Sequence, residues 1–451
     1  MLFAESQRDE APTRREFLAG LAAVMAVPAL SRCGSETPSV DAPVGSDAGA
    51  GLFHPVPPAS EPLMRVRVLR VAGPRAQVLI GRATQWLALG ASPDEGTEIV
   101  LRGPVVVHVG PDRWSVTDAN GVRAPVDAFE PLQFASLSAD EHDLVVQKRI
   151  YPGRLRLVSH GAKGDRGFDV INLVLMEKYL PGVVTGELFA HWLPETRAAQ
   201  AIAARSFAAS EHQWFRGRRE WDVTNTAHSQ VYRGRTDHGP SLEAVEMTRG
   251  VVLGFKGGLV PGYYSSCCGG IAASALDAIG RNPVNDMRPL EGRTGEDVCT
   301  SAAIARWTID RDVPQLTRRL ATWGRRDRRS NLGDLEQVTT IEPIARNEHG
   351  RPTRYAVADA TGRTVELSAG RLRAAANFSG DGVAPPQRRL WSSHVAVTIS
   401  DGTASFAGQG MGHGVGLCQY GAETLARSGT GHREILRWYY PDVEFVKGYG
   451  A

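Results

Sequence analysis

The chain has 451 residues, 42% of them hydrophobic, and a formal net charge of +2. That composition describes a globular protein long enough for two or three domains. A balance this near neutral gives no case for nucleic acid as the main partner and leaves the basic run around Arg325 to Arg329 as a solvated face.

In chain order, the first feature is Thr13-Arg14-Arg15-Glu16-Phe17-Leu18, a twin-arginine pattern followed by the apolar run LAGLAAVMAVPAL. Such a charged n-region and short h-region forms an export signal over 1–33 rather than a permanent membrane span. Cys33 sits in Leu30-Ser31-Arg32-Cys33, a lipoprotein-like box with Arg before the Cys, so Cys33 is a lipidation candidate against simple cleavage nearby. Residues 34–60 are rich in Ser, Pro, Ala, Gly and Asp and read as a flexible tether. The expectation is a protein exported by the twin-arginine route to the periplasm or cell envelope, free or held by a lipid.

Residues 61–150 read as a β-rich region, with short strands at 64–71, 77–80, 99–101, 105–109 and 144–146 separated by turns such as Pro111-Asp112 and Asn120-Gly121. A hairpin-like unit follows, Arg154 to Leu157 and Asp169 to Asn172, then a short helix over 175–183. The run PETRAAQAIAARSFAAS from Pro194 is the strongest helix signal: Pro suits the first turn, Glu195 complements the N-terminus, and alanine dominates. Between the two helices, Thr185-Gly186-Glu187-Leu188 would hold a carboxylate on a turn. Strands are expected near 251–253 and 262–265, an α+β insertion over 303–400, and helices over 422–427 and 432–439. The fold class is therefore α+β: a β-rich N-terminal region, then a mixed α/β core over 151–450 carrying the insertion and a glycine-rich strand.

That strand is GQGMGHGVG, with glycines at 408, 410, 412, 414 and 416. With a side-chain period of two, all five would line one face and let an extended ligand or another backbone lie on it. The alternative is a loop or bulged strand packed under another element.

No HExxH, GxSxG or P-loop lysine motif occurs, and the alternating glycines do not match GxGxxG. No cofactor is indicated. Besides Cys33, the cysteines are Cys267, Cys268, Cys299 and Cys418; their spacing forms no CxxC pair and no His/Cys zinc pattern, so no metal is expected. Export permits disulfides, and Cys268 with Cys299 is the candidate pair. What remains is one carboxylate near a turn, backed by an alanine-rich helix, which suits acid/base chemistry on an extended polar substrate.

Four blocks then carry a family resemblance: MEKYLPGVVTGELFAHWLPETRAAQAIAARSFA from Met176, WDVTNTAHSQVYRG from Trp221, GYYSSCCGGIAAS from Gly262, and FAGQGMGHGVGLCQYGAETLARSG with ILRWYYPDVEF up to Phe445. In this order they resemble the stage II sporulation protein D and LytB amidase-enhancer family. The resemblance implies a peptidoglycan lytic transglycosylase that cleaves MurNAc–GlcNAc bonds, preferably on strands lacking stem peptides, with Glu187 as its catalytic residue. A glycosidic oxygen leaves poorly unless protonated, and a carboxyl among apolar neighbours such as Leu188, Phe189 and Trp192 stays available as an acid. Most glycosidases need two carboxylates; here the substrate's own 6-hydroxyl would attack, so one suffices. The bland alternative for Glu187 is a helix-end charge.

By the same resemblance, Arg205, Gln230, Tyr232, Tyr264, Ser265, Ser266, Gly269, Gly270, Gln409, His413, Gln419 and Tyr420 are candidates for the glycan groove, each weighed against packing. Arg205 could equally form a buried ion pair, and Glu177 reads as structural. Ile271 and the alanines after it depart from the family's polar pattern. Some relatives bind zinc through a His and Cys spacing this chain lacks. The other branch of the family implies a non-catalytic amidase enhancer that binds cell wall and activates an N-acetylmuramoyl-L-alanine amidase.

Overall fold

Leu63–Val71 alternates over its first six residues: Met64, Val66 and Val68 are buried while Arg65 and Arg67 stay partly exposed, as a strand with one face on the core requires. It lies in a seven-stranded sheet of a computed structural model that describes residues 54–450, except 74–76, 84, 91–98, 111–112, 127–130, 138–142, 162–165, 294–296 and 328–330. The twin-arginine segment, Cys33, residues 34–53 of the tether and the Pro111-Asp112 turn lie outside the described residues.

The sheet order is Val223–Thr224, Leu63–Val71, Gly167–Leu175, Arg154–His160, Leu132–Ser136, Trp86–Gly90 and Ile99–Arg102. Gly167–Leu175 is buried along most of both faces, so its run FDVINLV is apolar with few breaks. A five-stranded sheet, Trp114–Thr117, Val105–Val109, Gln77–Ile80, Leu144–Val146 and Arg149–Tyr151, packs into the same core. The seven-stranded sheet thus takes strands from both sides of residue 150.

The central strand feeds helix α1, Met176–Glu187, whose first turn begins directly after Leu175. The short helix of the sequence reading is longer than expected: it continues past Val183 and ends at Glu187, so this carboxylate is the last helical residue rather than a turn residue. Helix α2, Pro194–Phe215, starts with Pro at its first turn, and its alanines are buried. Small side chains let other backbone approach it: a Cβ on Gly262 would stand 2.2 Å from the Ala203 carbonyl oxygen. Helix α3, Gly239–Met247, packs against α1 and α2.

The stretch from Arg306 to Gln409 builds a second core around Trp307, Leu316, Leu320, Tyr355, Phe378 and Phe406. Arg306–Asp312 pairs with Thr403–Gln409, which pairs with Val395–Ser400. A meander of Val338–Arg346, Pro352–Asp359 and Thr364–Ser368 adds a second sheet. Helix α4, Val313–Arg326, is capped by the Asp312 side chain, which accepts from the Gln315 N–H at 2.9 Å; helix α5 is Ala369–Ala376. Helices α6, Gln419–Arg427, and α7, His432–Tyr439, close the chain before a last strand, Glu444–Lys447, beside Val251–Phe255. Among the described residues, no helix is long and apolar enough to cross a membrane.

The glycine-rich strand is a correction. The strand ends at Gln409, and Gly410, Gly412, Gly414 and Gly416 take φ of 72°, 105°, 80° and 65°. The period of two therefore reflects left-handed backbone at alternate residues. The open space belongs to the protein itself: a Cβ on Gly416 would meet the Tyr263 carbonyl oxygen at 2.1 Å, and one on Gly410 the Cys267 carbonyl oxygen at 2.4 Å.

Candidate active site

Gly182 and Gly186 lie four residues apart and so share one face of α1. On that face the segment 231–234 runs in contact with the helix: a Cβ on Gly186 would stand 2.4 Å from the Val231 carbonyl oxygen, and one on Gly182 2.1 Å from that of Gly234. This approach brings the Val231 N–H within 2.7 Å of the Glu187 Oε1. The Tyr264 hydroxyl donates to the same oxygen at 3.2 Å, and the Gln419 amide to Oε2 at 3.4 Å. These partners of Glu187 come from three further segments, and none is a carboxylate.

Burial pushes the Glu187 carboxyl up, more than the bonds from Val231, Gln419 and Tyr264 pull it down. The end of α1 adds to this, because a helix C-terminus carries partial negative charge and disfavours a carboxylate there. The outcome is a carboxyl raised above its ordinary range yet held by three donors, suited to give a proton and take one back.

Two devices hold this arrangement. Arg197, fully buried in α2, donates to the carbonyls of Phe189 at 2.7 Å and Ala190 at 2.8 Å, fixing the chain just after Glu187. Glu423 of α6 accepts from the Leu193 N–H at 3.0 Å and the Thr196 hydroxyl at 2.8 Å. That joins the start of α2 to the helix carrying Gln419, whose amide also reaches Gln200 at 3.3 Å. Beside Glu187, Phe189, Trp192 and Tyr420 form an aromatic cluster, with Trp192 edge-on to Tyr420 at 5.1 Å and Phe189 at 6.2 Å from it. Phe189 and Tyr420 are partly exposed.

Residues 164–255 match the sequence profile of the family described as Stage II sporulation protein. The chain is 29% identical over 282 residues to an uncharacterized protein of Brachyspira hyodysenteriae, covering 61% of this chain and 68% of that one. It is 24% identical over 294 residues to the amidase enhancer of Bacillus subtilis, covering 58% of this chain but only 39% of that protein. It is 25% identical over 288 residues to stage II sporulation protein D of Bacillus amyloliquefaciens, covering 60% and 73%. The chain is thus similar to stage II sporulation protein D and to the amidase enhancer over about 60% of its length. The matched segment 164–255 contains Glu187 and Val231, whereas Tyr264 and Gln419 lie beyond it.

Several groove candidates are corrected. Arg205 is fully buried and forms a two-pronged pair with Glu177 at 2.9 and 2.8 Å. Gln230 is buried, accepting from Tyr179 and donating to the Ala204 carbonyl. Tyr232 is buried and donates to Asn172 at 3.0 Å. These three form the core behind Glu187 and have no surface to offer a glycan. Gly269, with φ of 77°, approaches protein rather than leaving room for sugar, since a Cβ there would stand 2.6 Å from the Gln409 carbonyl carbon; Gly270, with φ of 95°, is buried.

Ser265 is buried and accepts from the Gly414 N–H at 3.2 Å. His413 accepts from the Val415 N–H at 3.0 Å through Nδ1, and burial with Arg351 and Arg373 nearby pushes it down to about 4, so it is neutral at pH 7. Gln409 ends its strand beside Gly269. Ser266 is partly exposed, and its carbonyl accepts from the Tyr420 N–H at 3.1 Å. The structure brings Tyr264 and Gln419 to Glu187, places Ser266 and Tyr420 at the edge of this candidate site, and leaves Gln409 and His413 partly exposed.

Sequence reasoning missed the Val231 N–H, Gln200 and the roles of Arg197 and Glu423. The Gly182–Gly186 spacing is the sequence signal that could have found the backbone partner of Glu187. The expected Cys268–Cys299 disulfide is also corrected: both residues are thiols, their sulfurs 3.5 Å apart against about 2.05 Å in a bond.

Proposed function

We propose that this protein is an exported peptidoglycan lytic transglycosylase cutting between N-acetylmuramic acid and N-acetylglucosamine, with a preference for strands lacking stem peptides. The observation that carries the reading is Glu187: a partly buried carboxyl, raised above its ordinary range, whose three partners include no second carboxylate. Glu187 gives its proton to the glycosidic oxygen as that C–O bond breaks. The substrate's 6-hydroxyl oxygen then bonds to the anomeric carbon and returns its proton to Glu187, leaving a 1,6-anhydromuramyl end. Water takes no part, so a second carboxylate to activate it is unnecessary. Tyr264 and Gln419 hold the carboxylate between the two proton transfers, and Phe189 and Tyr420 offer ring faces to the sugars. The twin-arginine signal would deliver the folded protein to the wall, and Cys33 would hold it there if lipidated.

The test incubates the protein with intact and with peptide-stripped glycan strands and looks by mass spectrometry for anhydro ends, with Glu187→Gln in parallel. Anhydro ends from wild type alone support the reading; none from either substrate sinks it. A second reading is favoured by the relative named amidase enhancer: the protein binds cell wall and activates an N-acetylmuramoyl-L-alanine amidase without cutting. Amidase stimulation that survives Glu187→Gln, with no anhydro product, would select it.

A further inference from the structure

All four cysteines of the described fold converge. Cys267 and Cys268 follow the short strand Tyr264–Ser265, Cys299 sits in the turn Val298–Ser301, and Cys418 precedes α6; each is buried. The carboxylate of Asp297, 5% exposed, joins them. One ligand atom each from Cys268, Asp297, Cys299 and Cys418 falls within a sphere where all lie within 4.8 Å of one another. The Cys268 sulfur is 3.5 Å from that of Cys299 and 3.0 Å from Asp297 Oδ2. A tetrahedral zinc ion with Zn–S of about 2.3 Å holds its sulfurs about 3.8 Å apart, which these spacings approach and a disulfide's does not.

We propose that Cys268, Cys299, Cys418 and Asp297 form a structural Zn²⁺ site. Thiolates with one carboxylate suit zinc among the common divalent ions, and four protein ligands with no open position make a closed, non-catalytic centre.

Two independent features fit an anionic metal centre. Arg351 is 3% exposed, and its guanidinium donates to three carbonyls: Cys268 and Ile271 at 2.9 Å each, and His413 at 3.3 Å. Carbonyls do not neutralise it, and a buried cation needs an anion close by. Three thiolates and a carboxylate on a dication supply that negative charge. In addition, the remaining oxygen of Asp297 accepts from the buried Tyr439 hydroxyl at 3.0 Å, the outer bond that orients a metal-binding carboxylate. Beside Cys268 and Asp297 a small cavity of about 10 Å³, also lined by Arg293 and Tyr439, leaves space at the cluster.

The site explains why the two loop partners of Glu187 stay in place. Tyr264 and Ser265 pair with Leu417 and Cys418 over only two residues. A metal bonded just beyond Tyr264, at Cys268, and just before Gln419, at Cys418, clamps both ends of this short pairing. The inference stands apart from the proposed reaction, since metal content can be read on a protein with no turnover.

The test uses the full chain with Cys33→Ser, purified without chelator or reductant. Elemental analysis is expected to find about one zinc per chain. Replacement by Co²⁺ should give a thiolate-to-cobalt charge-transfer band with intense tetrahedral d–d bands. Chelation should release the metal, expose four titratable thiols in denaturant and lower the melting temperature. Asp297→Asn should weaken zinc retention at least tenfold, whereas Cys267→Ser should keep it. A metal-free protein with two thiols, meaning a disulfide, overturns the proposal. So does a metal-free protein with four thiols. Zinc lost on Cys267→Ser but kept on Asp297→Asn overturns the assigned ligand set.

Discussion

Replacing Arg205 by Met keeps most of the apolar stem and removes the guanidinium from its pair with Glu177. In the folded protein Glu177 accepts from Arg205 twice, from the Tyr449 hydroxyl at 2.7 Å and from the Gly250 N–H at 3.2 Å. Burial pushes this carboxyl up, but Arg205, Tyr449 and Gly250 outweigh it and hold it below the ordinary range. Removing one partner of so buried a pair leaves a charge without compensation, a loss of about 3–5 kcal/mol. Urea unfolding at pH 7, followed by circular dichroism, should show that loss. The pH dependence follows from the sign of the shift. A carboxyl with a lowered folded pKa stabilises above its unfolded pKa, and that stability disappears as pH falls through the folded value. The gap between wild type and Arg205→Met should therefore be widest near neutrality and narrow in acid. Adding Glu177→Gln to the variant should recover part of the loss. If Arg205→Met costs less than about 1 kcal/mol while glycan binding or turnover collapses, the buried-pair argument is wrong and Arg205 touches substrate after all.

Tyr264→Phe removes a donor that lowers the Glu187 carboxyl, so the alkaline limb of the pH–activity profile should move to higher pH. A limb that stays or moves down would deny Glu187 the acid role. Glu187→Gln should be more stable than wild type at pH 7 in thermal unfolding. The folded pKa of Glu187 is raised, so the ionised form costs stability once pH climbs from the unfolded pKa through the folded one; the advantage should vanish in acid. Gly416→Ala should cost roughly 3 kcal/mol or more in denaturant unfolding, because it combines a left-handed φ with a backbone oxygen at 2.1 Å. Gly429→Ala, with φ of 88° and open space around it, should cost only about 1 kcal/mol. Similar values for the two would discount the close approach.

What the sequence disclosed and what it hid divide along a physical line. Local signals placed elements well: Gln77–Ile80, Val105–Val109 and His432–Tyr439 begin and end where alternation or helical spacing predicts. Signals that depend on contact did not. The helix expected over 175–183 runs on to Glu187, where Gly186 is a poor helix former, with a segment packed against Gly182 and Gly186 that no local signal shows. The alternating glycines obey a period of two for a reason other than a strand, since a left-handed residue at every second position gives the same pattern. Arg205, Gln230 and Tyr232 look polar enough for a groove, but each finds an internal partner that one sequence cannot pair. The cysteines mark the limit most sharply. Their spacing of 1, 31 and 119 residues along the chain carries no ligand motif. Cys268 and Cys418 meet because Tyr264–Ser265, shortly before Cys268, pairs with Leu417–Cys418, and the turn Val298–Ser301 brings Cys299 to them. A ligand set assembled from three separate segments is written in topology, so a motif scan passes over it while the folded chain places its sulfurs at metal-binding distance.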